Sequence, residues 1–158
     1  MIRRVKGARL LDILVDADGC PVKAEVYRVA QRYGLKVKLV SNQWMKTPDA
    51  SWLELVVVED GPNVADDWIV EHVSERDIVI TGDIPLASRC LEKGASVLGL
   101  KGRPFTEDNI GGAVATRDLL TYLRDHGTRT GGPAPFDKRD RSRFLEQLDQ
   151  MVQAIRRE

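Results

Sequence analysis

Three stretches of the chain put carboxylates at points where an apolar run ends or a helical pattern begins: ILVDADG at 13–19, NVADDW at 63–68 and ITGD at 80–83. Asp16 and Asp18 directly follow one apolar run of strand length, and Asp83 follows another. If those runs are neighbouring strands, their ends lie about 4.8 Å apart, and carboxylates just beyond them can share one cation. Asp66 or Asp67, in the first turn of a helix, can add a third acid. At about 100° per residue Asp66 sits at the edge of the stripe Ala65, Trp68, Ile69 and Val73 while Asp67 points away, so Asp66 is preferred. Each acid also has a plainer role: Asp18 in a turn, Asp83 as an N-cap, Asp66 as a first-turn residue favoured by the helix dipole. Their joint placement raises the metal reading.

Clustered carboxylates with no Cys and little His select a hard, oxygen-loving ion, Mg²⁺ or Mn²⁺. Without a cation such a cluster repels itself, and one member tends to protonate or the site opens. The usual chemistry of an ion held this way is phosphoryl or phosphodiester transfer.

The elements that must position these acids follow from periodicity. Leu10 to Val15 is a near-continuous apolar run, the pattern of a strand covered on both faces. Val22, Val26, Val29, Ala30 and Tyr33 recur at helical spacing, with Gly34 as the stop. Strands are expected at Leu35–Val40 and Leu53–Asp60; the SNQWMKTPDASW connection between them is barely long enough for a crossover helix, which leaves the direction of the second open. A helix capped by Asn63 follows, then a strand at Asp77–Thr81, a helix at Ile84–Glu92 with Pro85 in its first turn, and a fifth strand at Ala95–Leu100. KGRPFTEDNIGG reads as a loop, Ala113–Arg124 as a helix, and the last helix carries the stripe Phe144, Leu148, Met151, Val152 and Ile155. Strands alternating with helices imply an α/β fold: a mostly parallel sheet with helices on both faces.

At 158 residues the chain fits one domain, 1–158, with a Gly/Pro-rich and charged segment at 127–140 expected to be mobile. Its 24 Lys and Arg balance 24 Asp and Glu, so whole-molecule charge selects neither nucleic acid nor an anionic membrane, and any basic surface must be local. The basic start MIRRVKGARLLDILVDADG lacks a cleavage site and is interrupted by Asp12 and Asp16, no segment is long and apolar enough to span a bilayer, and a cytoplasmic location is expected. Cys20 and Cys90 form no zinc pattern. Cys20, with no phosphate loop or neighbouring His, reads as a small packed residue rather than a nucleophile. Nothing in the sequence speaks to oligomeric state.

The set DADGCPV, NVADDWIVE, VITGDIPLA, KG then NI, and the terminal GGPAPF resembles the YaiI/YqxD family of small bacterial proteins over nearly the whole chain. That family is grouped with PIN-like domains. The resemblance implies a three-layer α/β/α domain with a five-stranded sheet in the order 3-2-1-4-5, and an acidic cluster that binds Mg²⁺ or Mn²⁺ for ribonuclease action. It implies that Asp16, Asp66 and Asp83 form the cluster, with Asp18 and Asp67 in support, and that RNA is the candidate partner.

Lys101 and Arg103, just past the fifth strand, could meet phosphates, and Phe105 could stack on a base. Asn42 and Asn109 could orient a ligand, though capping and turning are the simpler roles. KRDRSR at 138–143 reads as a solvated helix start rather than an electrostatic arm. Two rival functions stand beside the nuclease. In a haloacid-dehalogenase-like phosphatase, ILVDADG would be the DxD loop, Asp16 the covalent nucleophile and Asp18 a general acid; no lysine occurs between Lys46 and Asp83 to support the phosphoenzyme. In a non-catalytic module the same fold would bind RNA or metal without turnover.

Overall fold

In the computed structural model, which describes residues 11–112 and 136–158, apolar residues of successive strands alternate between two cores, one on each face of a single sheet. The elements are β1 (Asp12–Asp16), α1 (Lys23–Tyr33), β2 (Lys36–Ser41), β3 (Leu53–Val57), α2 (Val64–His72), β4 (Ile78–Ile80), α3 (Ile84–Glu92), β5 (Ser96–Leu98), β6 (Pro104–Phe105) and a C-terminal helix, α4 (Lys138–Arg156). Ile13, Val15, Val37, Leu39, Ile78, Ile80 and Leu98 point into one core with Val26 and Val29 of α1 and Phe144, Leu148, Val152 and Ile155 of α4. Leu14, Val40, Val79 and Val97 point into the other, against Ala65 and Ile69 of α2 and Leu86, Ala87 and Cys90 of α3. The result is an α/β/α sandwich whose central strands are apolar on both sides, as a parallel sheet requires.

The strand order is β3-β2-β1-β4-β5-β6. It contains the expected 3-2-1-4-5 order and adds a sixth strand at the edge. That strand corrects the reading of KGRPFTEDNIGG as loop throughout: Pro104 and Phe105 pair antiparallel with Leu98 and Val97. Pro104 there blunts a sheet edge, where a missing N–H costs little. β3 is parallel to β2, and residues 42–52 connect them without a helix. β1 lies between β2 and β4, with Asp16 opposite Val40 and Val15 opposite Ile80. Asp16 is thus the last residue of β1 rather than the first beyond it.

Helix ends explain two further differences. Asn63 stands at the N-cap of α2 but in the left-handed region, and its side chain makes no cap hydrogen bond; its carbonyl accepts from Asp67 N instead. Asp137 forms a reciprocal capping box with Asp140, so α4 begins inside the 127–140 segment expected to be mobile. Residues 127–135 of that segment, and the helix expected at Ala113–Arg124, lie outside the described residues.

α4 is held by burial. Full burial of a large apolar side chain contributes about 1.5–3 kcal/mol, and Phe144, Leu148 and Val152 are inaccessible to solvent. The Arg32–Asp149 ion pair on its outer side, with Arg32 half exposed, is worth about 1 kcal/mol at most. The tightest approach is at Gly102, in the left-handed region at φ +87°, where an added Cβ would come within 2.7 Å of the backbone nitrogen of Phe144. Gly102→Ala therefore combines left-handed strain with an overpacked backbone contact, and is expected to cost on the order of 3 kcal/mol. Urea unfolding checks this: a lower midpoint at unchanged slope is expected, and a loss under about 1 kcal/mol would mean the turn and helix do not meet as described.

Candidate functional site

The acids gather at the carboxyl edge of the sheet, where β1 and β4 end side by side. Asp16 closes β1, half-buried, and its Oδ2 accepts a 2.9 Å hydrogen bond from Thr81 Oγ1 at the end of β4. The same Thr81 hydroxyl accepts from the backbone N–H of Asp83 at 3.0 Å. One fully buried threonine thus orients both the Asp16 carboxylate and the turn that carries Asp83. Asp83 is the N-cap of α3, its Oδ1 accepting from Leu86 N at 3.0 Å.

Asp66 and Asp67 separate as their helical angles predict. Asp66 is half-buried at the edge of the α2 stripe, while Asp67 is exposed and pairs with Arg89 at 2.9 Å. Asp18 is exposed, and its two oxygens accept from Ser41 Oγ at 2.7 Å and Asn42 N at 3.1 Å. It ties the turn after β1 to the end of β2.

Burial pushes the Asp16 carboxyl up to about 6, partly opposed by the Thr81 hydrogen bond, with repulsion from Asp66, Asp83 and Asp18 adding to the rise. Burial raises Asp66 as well, Asp83 and Asp67 adding and Arg89 opposing. The acids therefore form one interacting set drawn from β1, α2 and the β4–α3 turn. Among the described residues no three Asp, Glu, His or Cys side chains stand as a ready-made ligand group.

The other expected contacts divide. Arg103 is exposed beyond β5. Lys101 is half-buried, with Nζ 4.0 Å from Asp140 of α4. Phe105 lies against the second core, over Gly99. The Asn42 side chain reaches the carbonyl of Glu59 at 3.5 Å, while Thr106 caps the helical segment that starts at 107, its Oγ1 accepting from Asn109 N and Asn109 Oδ1 accepting from Thr106 N. Cys20 is buried and its thiol is shifted up by that burial, in keeping with a packing role. Sequence reasoning missed Thr81 and Ser41. The signal was a hydroxyl residue closing each apolar strand, in DIVIT and KLVS, where a side chain at the carboxyl end faces the site instead of a core.

The profile of the family described as uncharacterised, YaiI/YqxD, matches residues 14–154. The chain belongs to the YaiI/YqxD family. A UPF0178 protein of Parvibaculum lavamentivorans is 57% identical over 148 residues, covering 94% of this chain and 97% of the relative. UPF0178 proteins of Paramagnetospirillum magneticum and Nitrobacter winogradskyi are 54% and 52% identical over 145 residues, each covering 92% of this chain and 96% and 92% of the relative. No solved structure matches the chain. No helix among the described residues is long and apolar enough to cross a membrane.

In this family member the raised carboxyl makes stability depend on pH. Folded Asp16 holds its proton up to about 6 whereas an unperturbed Asp releases it at 3.8, so the folded state binds more protons in that window and stability falls as pH rises through it. Asp16→Asn removes the charge while its amide oxygen still accepts from Thr81. The variant is expected to be more stable than wild type at pH 8 by on the order of 1 kcal/mol, with a smaller gain at pH 5. Denaturant unfolding at the two pH values measures it; destabilisation at pH 8 would mean the ionised carboxylate is favourably held.

Proposed function

We propose that this protein is a Mg²⁺- or Mn²⁺-dependent, PIN-like phosphodiester hydrolase that acts on RNA. The reading rests on one observation: carboxylates from three separate elements, Asp16, Asp66 and Asp83, interact at the carboxyl edge of an α/β sheet, where such folds bind their ligands. The donors are hard oxygens, with neither imidazole nor thiolate among the interacting set, and they suit these two cations. Asp16, Asp66 and Asp83 would hold the ion, with Asp18 and Asp67 at the margin of the site. A cation held there would neutralise the acids and would supply the polarisation of a phosphodiester that hydrolysis by water needs.

The chain's own groups supply the rest. Thr81 orients the Asp16 carboxylate and holds the Asp83 turn, so one hydroxyl links the two segments that carry these acids. Asp18 is engaged by Ser41 and Asn42, which suits holding the loop rather than donating a proton as the phosphatase reading demands. Arg103, exposed past β5, would meet a neighbouring phosphate in this reading.

Calorimetric titration of Mn²⁺ into wild type and Asp16→Asn tests the site, and cleavage of single-stranded RNA with Mn²⁺ tests the reaction. Wild type is expected to bind Mn²⁺ and cleave. Asp16→Asn is expected to lose at least about tenfold in affinity and nearly all cleavage, with large losses in Asp66→Asn and Asp83→Asn. Equal cleavage by Asp16→Asn would contradict the mechanism. Mn²⁺ binding without cleavage would favour a non-catalytic module, and a phosphate analogue trapped on Asp16 would favour the phosphatase.

A further inference from the structure

We infer that Trp44 is the base-stacking platform of a single-stranded nucleic-acid site that runs along the carboxyl edge of the sheet past the acids. The inference rests on the nuclease-like reading for the identity of the site, and adds a specificity-determining residue to it.

Trp44 is 74% exposed, whereas every other aromatic side chain among the described residues is at least partly buried. Trp52 packs on the first core and meets Tyr27 edge to face, and Trp68 is stacked on His72. Phe105 packs over Gly99 and Phe144 is inaccessible. An indole left in water presents an open apolar face on which a ligand ring can stack.

That position is fixed from both sides. Met45 packs against the first core, which anchors the loop while Trp44 and Lys46 face solvent on either side of it. Two residues before Trp44, the backbone N–H of Asn42 donates to Asp18 Oδ2, and Ser41 donates to Oδ1. Consecutive Cα atoms are about 3.8 Å apart, so Trp44 lies within about 8 Å of Asn42, beside the turn that follows β1. The strand order places this loop on one flank of the acids and Arg103, beyond β5, on the other; the ends of β2 and β5 are three strand spacings, about 14 Å, apart. A few nucleotides span that distance, with a base on the indole, a phosphate at the acids and another phosphate at Arg103. An aromatic face beside a lysine is the combination that binds single strands without reading sequence, because every base has a π-face and every nucleotide a charge. A duplex, whose bases are already stacked, cannot use the indole in this way.

The test is equilibrium binding of a ten-nucleotide single-stranded RNA, of an abasic strand with the same phosphates, and of a duplex of the same length. It uses the full chain in the Asp16→Asn background with Mg²⁺ present, so that cleavage does not interfere while the cation offsets the remaining carboxylates. Single-stranded RNA is expected to bind more tightly than the duplex. Trp44→Ala is expected to weaken it by about tenfold or more, Trp44→Phe to retain most of the affinity, and the abasic strand to bind both forms alike. Equal affinity of Trp44→Ala and its parent for the RNA, or an equal loss on the abasic strand, would overturn the inference. Absence of any oligonucleotide binding would also overturn it. A failed Mn²⁺ titration alongside Trp44-dependent RNA binding would remove the hydrolase reading while leaving this one standing.

Discussion

The hydrogen bond from Thr81 to Asp16 joins the ends of β1 and β4, and the site depends on it. It exists because β4, although it comes fourth in sequence, lies directly against β1, with Val15 opposite Ile80 and the next residue of each strand facing the same edge. The opposite end of this strand pair is held by a second carboxylate. Buried Asp77 accepts from Asp12 N at 3.0 Å and from Ser74 N at 2.9 Å. A charge in that position is tolerable because backbone N–H groups supply the hydrogen bonds it lost with water. Register between β1 and β4 is thus fixed at both ends by side chains as well as along its length by apolar burial.

The two carboxylates illustrate opposite uses of burial. Asp77 is satisfied and serves the frame. Asp16 is satisfied by one hydroxyl and surrounded by other acids, so it remains in conflict with its surroundings. An asparagine there would accept the same hydrogen bond without the charge, so ending the strand does not require the conflict. Two apolar cores and a helix packed on backbone at Gly102 provide the stability that lets this edge hold unfavourable charge. Local strain supported by a rigid frame is the usual physical signature of a site rather than of a scaffold.

Much of the frame was legible in the sequence because it depends on periodicity. The two-sided apolar runs mark the central strands, the stripe Phe144, Leu148, Val152 and Ile155 marks the last helix, and the helical angle separates Asp66 from Asp67. The adjacency of β1 and β4 was not readable from the residues themselves, since it is a long-range pairing; family resemblance supplied it. β6 was missed because two residues containing a proline carry no strand pattern. Thr81 and Ser41 were missed because their role arises only when two strand ends meet. Trp44 gave no signal either: exposure is a property of the folded loop, set by Met45 turning inward beside it.

The central claim is that Asp16 is a destabilised carboxylate poised for a cation. Carbon-detected NMR titration of its side-chain carboxyl, in the absence and presence of Mg²⁺, tests that most directly. The account predicts a midpoint near 6 without the ion and a clear fall when Mg²⁺ is added, because a bound cation favours the charged form. A midpoint in the ordinary aspartate range that Mg²⁺ leaves unmoved would contradict it, and would reduce DADG to the end of a strand and the turn that follows.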